Sequence, residues 1–311
     1  MSVGSKIRGV CKLITNSGYR FAFLAGRGLK GDVPGEEFLK RVYRFNMNRE
    51  LNLDDPVTYT EKLQWLKLYD HRPEYSVMVD KYAAKEFVAE RIGAEHVIPL
   101  LGVWDSVEDI DFENLPQRFV LKTTHDSGGI VICKDKAKLN ITAAKKKLNR
   151  FMKREYYRCN REWPYKNVKP RIIAEKYMLN HEGSAELSDY KWFCFDGVAR
   201  VMFVVTDRQT PGVGTKMDYF DMEFRHLPFT NGCPNATREI EKPVNFERMR
   251  EMAERISKGL PHVRVDFYEA DGQVYFGEIT FFDGCGMTPF EPEEWDTIFG
   301  SWIQLPEKTL Q

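Results

Sequence analysis

Two acidic side chains in the last third of the chain lie where they could bind one cation. Apolar and polar residues alternate over residues 263–267, as in a strand, and the Asp271-Gly272 pair is typical of a hairpin turn. Asp266 therefore lies on one strand of a hairpin and Glu278 on the other. Two carboxylates among apolar residues repel each other unless a cation lies between them, and Mg²⁺ prefers hard oxygen ligands. Arg264 faces the same side as Asp266, so a structural Arg–Asp–Glu cluster is the alternative.

A loop with paired glycines follows a short apolar strand near the middle of the chain. The strand over residues 119–122 ends at Lys122, and Gly128 and Gly129 lie in the loop before a second apolar run at 130–133. Backbone N–H groups of such a loop can cover a phosphate, and the lysine charge would reach the same group. The Walker A pattern G-x-x-x-x-G-K-[ST] is absent. The sequence therefore predicts a phosphate-binding flap of another kind.

The composition narrows the class of protein. The chain has 311 residues, with 46 basic and 46 acidic side chains and a formal charge of zero, which argues against a dedicated nucleic-acid binder. Its six cysteines are scattered without a C-x-x-C pair, so neither a zinc site nor a disulfide framework is indicated. No apolar run has the length of a membrane-spanning helix, and no secretory signal is visible. We expect a cytoplasmic protein.

Helical patterns dominate the first part of the chain. Residues 6–30 alternate basic and apolar side chains; such a helix either packs on the body of the protein, which we favour, or lies on an anionic membrane surface. Residues 34–72 and 80–92 are predicted to be helical, with apolar faces that reach the core. The strongly basic helix at 139–157 has either a solvated face or an anionic partner.

Several short motifs occur in an order that resembles the ATP-grasp superfamily. They are Asp80-Lys81, Lys122, Glu175-Lys176-Tyr177-Met178, Lys191, Arg264-x-Asp266 and Glu278-x-Thr280. Within the superfamily the chain looks most like the TupA-like branch, associated with teichuronopeptide biosynthesis. The motifs that carry this closer match are Lys62-Leu-Gln-Trp65, Val120-Leu-Lys122, Asp189-Tyr-Lys191 and Gly277-Glu-Ile-Thr-Phe281. The resemblance to the superfamily covers about residues 60–290, and the closer match extends to about residue 305.

The resemblance implies an α+β protein with the ATP-grasp fold. Two α+β subdomains would clasp ATP, and a helical extension would precede them. The expected segments are a basic amphipathic stretch at 1–40, a helical region with the first ATP-grasp elements at 41–118, a flap and central subdomain at 119–180, and a C-terminal subdomain with the metal site at 181–311.

The resemblance also implies a set of residues for the phosphates of ATP. Lys122 would contact the α- and β-phosphates, and Lys81 looks like an earlier lysine on the phosphate side. The flap over the triphosphate would consist of Ser127, Gly128 and Gly129.

Other residues are implied for the adenosine part of ATP. Glu175 and Lys176 resemble the pair near the adenine amino group, and the backbone of Met178 would bind the ring edge. Glu182 is similar in placement to the acid that binds the ribose. Asp189 lies where a further phosphate-side group belongs.

The implied catalytic and metal residues lie at the end of the motif series. Lys191 is a further phosphate-side cation, and Arg264 would stabilise a developing oxyanion. Asp266 and Glu278 would hold Mg²⁺. Thr280 stands at a third metal-side position where the family usually has Asn, which makes a second metal ion a weaker expectation.

The implied function is an ATP-dependent carboxylate–amine ligase that works through an acylphosphate in bacterial surface-polysaccharide biosynthesis. Its partners would be a carboxylate, such as a uronic acid in a glycan, and an amine, such as an amino acid; no nucleic acid is expected. A kinase that uses the same ATP site with a hydroxyl acceptor is one alternative. A nucleotide-binding or membrane-peripheral scaffold without activity is another. We expect the protein in the cytoplasm, with the inner face of the membrane as a further option.

Overall fold

The fold is built around two antiparallel sheets. The computed structural model describes residues 13–178, 189–208, 210 and 212–309. The first sheet has the order β1-β4-β2-β3, and its strands are β1 Leu100–Trp104, β2 Phe119–Thr123, β3 Ile130–Cys133 and β4 Ile172–Lys176. The second has the order β10-β9-β5-β6-β7, and its strands are β5 Asp189–Phe195, β6 Val198–Thr206, β7 Lys216–Phe220, β9 His262–Ala270 and β10 Gln273–Thr280. A short ribbon pairs β8 Thr230–Asn231 with β11 Phe290–Glu291.

Helices flank both sheets. Five precede the first strand in the described part of the chain, and they are α1 Ser17–Ala25, α2 Gly35–Met47, α3 Tyr59–Tyr69, α4 Glu74–Val79 and α5 Ala84–Ile92. The later helices are α6 Ile141–Met152, α7 Tyr157–Asn160, α8 Phe246–Ser257 and α9 Glu294–Trp302. In the described ranges, none of the helices combines the length and the apolar character needed to cross a bilayer.

The first sheet has one packed face and one face that opens to a cleft. Phe119 and Leu121 of β2 are fully buried and belong to a core with Leu148 of α6. Because successive side chains of a strand point to opposite faces, Val120 and Lys122 lie on the other face, where both line the cleft. The alternation within β2 therefore places a lysine in the cleft.

The second sheet contains the predicted hairpin, which is formed by β9 and β10. Asp266 pairs directly with Glu278 on β10 and with Lys191 on β5, so one acidic–basic row crosses three strands. The register shifts between Phe276 and Glu278, which marks a β-bulge at Gly277. A Cβ atom at Gly277 would lie 3.1 Å from the backbone oxygen of Asp266. The bulge explains why the apolar pattern changes phase along β10.

The N-terminal helices form part of the main core in the described residues. Phe21 of α1 is buried and its ring lies 5.9 Å from that of Phe38 of α2. Arg161 donates to the backbone oxygen of Val33 at 2.7 Å. The segment from residue 17 therefore packs on the body of the protein, as the favoured interpretation expected. The division at residue 40 falls inside α2, and the division of the chain into four segments stays a prediction.

His262 at the start of β9 gives the fold a pH dependence. Its Nδ1 lies 3.0 Å from the backbone oxygen of Cys194 and its Nε2 3.1 Å from Oη of Tyr59, a geometry that suits a neutral ring. Burial lowers the pKa of His262 to about 3. The unfolded chain takes up this proton near the ordinary pKa of about 6.5, so the stabilising contribution is complete above that pH and is lost as the pH falls toward 3.

We expect His262→Gln to reduce the loss of stability in acid. Between pH 7 and pH 4.5 the wild-type free energy of unfolding should fall by about 2–3 kcal/mol more than that of the variant, because only the wild-type chain has this histidine to protonate. Urea unfolding of both proteins at the two pH values measures the difference. Equal pH dependence would contradict the assignment.

Candidate active site

A cleft of about 380 Å³ runs between the two sheets. One wall comes from β2 to β4 and the other from β5, β9 and β10. Many of the residues predicted for the site line this cleft, namely Lys81, Lys122, Ser127, Glu175, Lys176, Met178, Asp189, Lys191 and Glu278. Glu182 lies outside the described residues, so its predicted contact with ribose stays a prediction.

Glu175 holds two lysines at the first wall. Its Oε2 lies 2.6 Å from Nζ of Lys122, and its Oε1 lies 2.5 Å from Nζ of Lys85. Burial raises the pKa of Glu175, but the attraction of Lys122 and Lys85 outweighs it and holds the pKa below the ordinary value. All three side chains line the cleft. This wall therefore presents two paired ammonium groups, and the predicted contact of Glu175 with adenine stays a prediction.

The flap is fixed by contacts among its own residues and with Lys81. Nζ of Lys81 donates to the backbone oxygen of Asp126 at 2.5 Å, and Thr123 donates its hydroxyl to the Asp126 carboxylate. Gly128 has a left-handed φ of +95°. A Cβ atom at Gly129 would lie 1.8 Å from Oγ1 of Thr123, so only glycine fits there. The two glycines are therefore required by the shape of the loop.

An apolar slot lies beside these cations. Val120 and Ile132 from the first sheet and Phe276 and Ile279 from the second line the same cleft. Met178, two residues after β4, lines the same cleft. Apolar walls next to a few charged groups are typical of a site that binds an aromatic ring joined to a polar tail.

Asp266 and Arg264 form the centre of the second wall. Nε and Nη2 of Arg264 each lie 2.7 Å from an oxygen of Asp266, a bidentate pair, and Lys191 makes an ion pair with the same carboxylate. Burial raises the pKa of Asp266 to about 6, and the attraction of Arg264 and Lys191 opposes this rise. The carboxylate is therefore ionised at neutral pH with both oxygens bonded to cations.

Arg264 also links three other acceptors. Its Nη2 donates to Oε1 of Glu278 at 3.0 Å and to Oγ1 of Thr280 at 3.1 Å, and its Nη1 makes an ion pair with Asp283. The attraction of Asp266 and Asp283 outweighs desolvation and raises the pKa of Arg264 well above the ordinary value. The guanidinium is thereby held in one orientation by groups from β9, β10 and the loop after β10.

Glu278 is the acidic group that faces the cleft. Its side chain is 44% exposed, whereas Asp266 is 1% exposed. Desolvation raises the pKa of Glu278, but four cations outweigh it and lower the pKa to about 2. These cations are Arg264, Lys191, Lys81 and Lys122. Cations from both walls therefore act on one carboxylate.

The oxygen ligands in this wall fit Mg²⁺. Among the described residues, no group of three or more His, Cys, Asp or Glu side chains is arranged to hold a metal ion. Mg²⁺ is usually held by one or two carboxylates and completes its shell with water and substrate phosphates. Glu278 is the accessible ligand and Thr280 adds a hydroxyl, while Asp266 shares its oxygens with Arg264 and Lys191. The ion would thus rely on Glu278 and on a phosphate-bearing ligand.

Asp189 and Arg208 form a further polar pair in the cleft. Nη2 of Arg208 lies 2.9 Å from Oδ2 of Asp189, and Nζ of Lys191 lies 3.1 Å from the same atom. Oδ1 of Asp189 is buried and accepts no hydrogen bond from the described residues. A buried acceptor of this kind is usually satisfied by a donor, which a ligand in the cleft can provide.

A comparison with models of protein families assigns this chain to a family. The family model described as TupA-like ATPgrasp matches residues 61–304. This chain belongs to the TupA-like ATP-grasp family. The ATP-grasp fold and the TupA-like branch expected from the motifs are thereby confirmed. A search of curated proteins found no match.

Solved structures similar to this TupA-like chain include three ligases. The D-alanine–D-alanine ligase from Bacillus anthracis complexed with ATP has 18% identity over 66% of this chain, with a TM-score of 0.42, and this chain spans 55% of its length. The D-alanine–D-alanine ligase from Helicobacter pylori has 12% identity, coverage of 79% and 69% of the two chains and a TM-score of 0.41. The ATP-grasp ligase PsnB complexed with minimal precursor has 12% identity, coverage of 67% and 54% and a TM-score of 0.39.

Sequence motifs missed three charged residues of this TupA-like site. Lys85 follows Lys81 by one helical turn, and that spacing was the available signal. Arg208 lies in the segment after β6 and Asp283 in the loop after β10, and neither belongs to a recognisable pattern. Both reach their partners only through the tertiary fold.

Proposed function

We propose that this protein is an ATP-dependent ligase that joins a carboxylate to an amine and uses Mg²⁺. The observation that supports the proposal is the cleft itself, in which Lys81 and Lys122 on one side and Lys191 and Glu278 on the other line a single space, with Nη2 of Arg264 3.0 Å from Glu278. An apolar slot for a ring lies beside them. Such a site stabilises transferring phosphoryl groups by charge and needs no nucleophilic side chain.

The proposed residues act by position and charge. Lys81, Lys122 and Lys191 hold the phosphates and Glu278 holds Mg²⁺, while Asp266 binds Arg264 and Lys191. ATP supplies the phosphoryl group: a carboxylate oxygen bonds to the γ-phosphorus as the bond from that phosphorus to ADP breaks. The amine nitrogen then bonds to the carbonyl carbon and loses a proton as phosphate leaves.

Arg264 stabilises the negative oxygen that develops during amine attack. Its guanidinium is already oriented by Asp266 and Asp283, so little reorganisation is needed as the charge forms. Asp189, with its buried Oδ1, and Arg208 line the same cleft and bind a polar part of the ligand.

The substrates are proposed from the family. The family match names no substrate; from the resemblance we propose that the carboxylate belongs to a uronic acid of a bacterial surface glycan, that the amine belongs to an amino acid, and that the reaction takes place in the cytoplasm. Contact with the inner face of the membrane through the basic residues that precede α1 is a further proposal.

Product analysis tests the ligase. Purified protein is incubated with MgATP, oligosaccharides that contain glucuronate or galacturonate, and single amino acids. ADP, free phosphate and product mass are then measured. ADP and phosphate in equal amounts with a new amide are the expected result. A phosphorylated sugar without free phosphate would indicate a kinase, and an absence of MgATP binding by calorimetry would contradict the proposal.

A further inference from the structure

A helix at the start of the family match contacts the loop beside Arg264. Helix α3 buries two polar side chains, Gln64 and Lys67, which are 0% and 2% exposed. Nε2 of Gln64 donates to the backbone oxygen of Gly286 at 2.7 Å, and Nζ of Lys67 donates to that of Cys285 at 2.7 Å. Nζ of Lys67 also donates to Oε1 of Gln64 at 3.0 Å. The two side chains form one hydrogen-bonded unit beneath the loop.

This loop has an unfavourable backbone conformation. Gly284, Cys285 and Gly286 have consecutive left-handed φ values of 52°, 60° and 62°. A residue with a Cβ atom adopts this region with difficulty, so Cys285 depends on support from outside the loop. A Cβ atom at Gly286 would lie 2.6 Å from Nε2 of Gln64, which shows how closely the helix approaches.

The same loop begins with a partner of Arg264. Asp283 makes an ion pair with Nη1 of Arg264, and the other guanidinium nitrogens bind Asp266, Glu278 and Thr280. Asp283 is the partner that comes from the loop rather than from a strand. Its position therefore depends on how firmly the loop is held.

Burying the ammonium group of Lys67 costs free energy, because the group loses its contact with water. Burial lowers the pKa of Lys67, and attraction by the buried Glu162 opposes the change. An apolar residue would fill the space without this desolvation, but it would leave the Cys285 carbonyl with only the long 3.4 Å contact from Nε2 of Gln64. The ammonium group can hold the loop and Gln64 together.

We propose that Lys67, assisted by Gln64, is a positioning residue for Arg264. It fixes the Asp283–Gly286 loop, and the loop places the Asp283 carboxylate against the guanidinium. The inference rests on the proposed function, because it assumes that Arg264 acts in the ligase reaction. In this arrangement helix α3 contributes to catalysis without lining the cleft.

The test compares Lys67→Met with a matched control on the same helix. Lys62 also donates to two backbone oxygens, those of Gly300 and Ile303, each at 2.9 Å, but it has no connection to the loop. Hydrogen exchange of the Cys285 and Met287 amides, which donate to Phe282 and Gly284, is measured without nucleotide. We expect exchange to be about tenfold faster in Lys67→Met and unchanged in Lys62→Met.

Turnover supplies the second measurement. With MgATP and an accepted substrate pair, Lys67→Met should lower kcat by about tenfold or more and leave KM for ATP within about twofold, because the nucleotide cleft is untouched. Lys67→Arg should restore part of the slow amide exchange of the loop and part of kcat, since a guanidinium also donates to carbonyls. Gln64→Leu removes the Gly286 contact and the Gln64 acceptor for Lys67 but keeps the hydrogen bond from Lys67 to Cys285. It should give the same pattern more weakly, and it replaces Lys67→Met if that variant fails to fold.

Some results would overturn the inference. Unchanged loop exchange in folded Lys67→Met, or equal effects in Lys67→Met and Lys62→Met, would show that Lys67 does not fix the loop. Faster exchange with normal kcat would show that the loop does not position Arg264 for the reaction. If the wild-type protein binds no MgATP, the proposed function fails instead, and the exchange experiment still decides whether Lys67 holds the loop.

Discussion

Replacing Lys122 with Met is expected to weaken the binding of MgATP about 10- to 100-fold and to leave the protein folded. Lys122 lines the cleft, and hydrogen bonds from its ammonium to phosphate would be lost while the alkyl stem remains. Glu175 stays paired, because Lys85 lies 2.5 Å from its other oxygen. The variant therefore buries no isolated carboxylate.

Isothermal titration calorimetry with MgATP measures this effect beside a thermal melt. Lys145→Met is a suitable control, since Lys145 pairs with Glu108 at 2.7 Å and does not line the cleft. The control should bind MgATP like the wild-type protein. Unchanged affinity in folded Lys122→Met would remove this lysine from the phosphate site.

Local patterns were sufficient to predict the hairpin that forms part of the second wall. The alternation over 263–267 and the Asp271-Gly272 turn determine a hairpin, and the observed register pairs Asp266 with Glu278 directly. The bulge at Gly277 was not predicted, because a single glycine in a strand does not show where the register shifts. The strand that ends at Lys122 was also recognisable, since its alternation is short and regular.

Sequence patterns do not predict contacts between segments that lie far apart in the chain. The apolar face expected for residues 60–69 contains the buried polar pair Gln64 and Lys67, whose partners lie more than 200 residues later in the chain. The ion pair between Asp283 and Arg264 could not be predicted for the same reason, because it depends on the conformation of the loop that Asp283 begins. The order of motifs predicts the family, whereas the orientation of Arg264 follows from the folded structure.

The two carboxylates of the hairpin should respond differently to loss of charge. Asp266 is 1% exposed and bonded to both Arg264 and Lys191. Asp266→Asn leaves these buried cations short of a counter-charge, so we expect the free energy of unfolding without nucleotide to fall by about 3–5 kcal/mol. In Glu278→Gln the side chain is 44% exposed and keeps an acceptor for Arg264, so the loss should stay within about 1 kcal/mol.

Turnover should distinguish the two variants in the opposite way. The loss of kcat that is not accompanied by a loss of stability should be larger in Glu278→Gln than in Asp266→Asn. Glu278→Gln removes the carboxylate charge that Arg264, Lys191, Lys81 and Lys122 stabilise, and with it the proposed Mg²⁺ ligand. We expect kcat to fall at least about 100-fold in a protein of nearly wild-type stability, because charge stabilisation of the transferring phosphoryl group is lost. Asp266→Asn should also lose activity, but together with stability.

Urea unfolding without nucleotide and ADP formation with an accepted substrate pair measure the two effects. Glu269→Gln is the control on the same hairpin, because Glu269 accepts a hydrogen bond from Asn245 at 2.7 Å and lies outside the cleft. Near-normal turnover in Glu278→Gln would exclude this residue as the Mg²⁺ ligand. A stable Asp266→Asn variant would instead mean that Arg264 does not depend on Asp266, and the orientation of the guanidinium would then have to come from Asp283 and the loop that carries it.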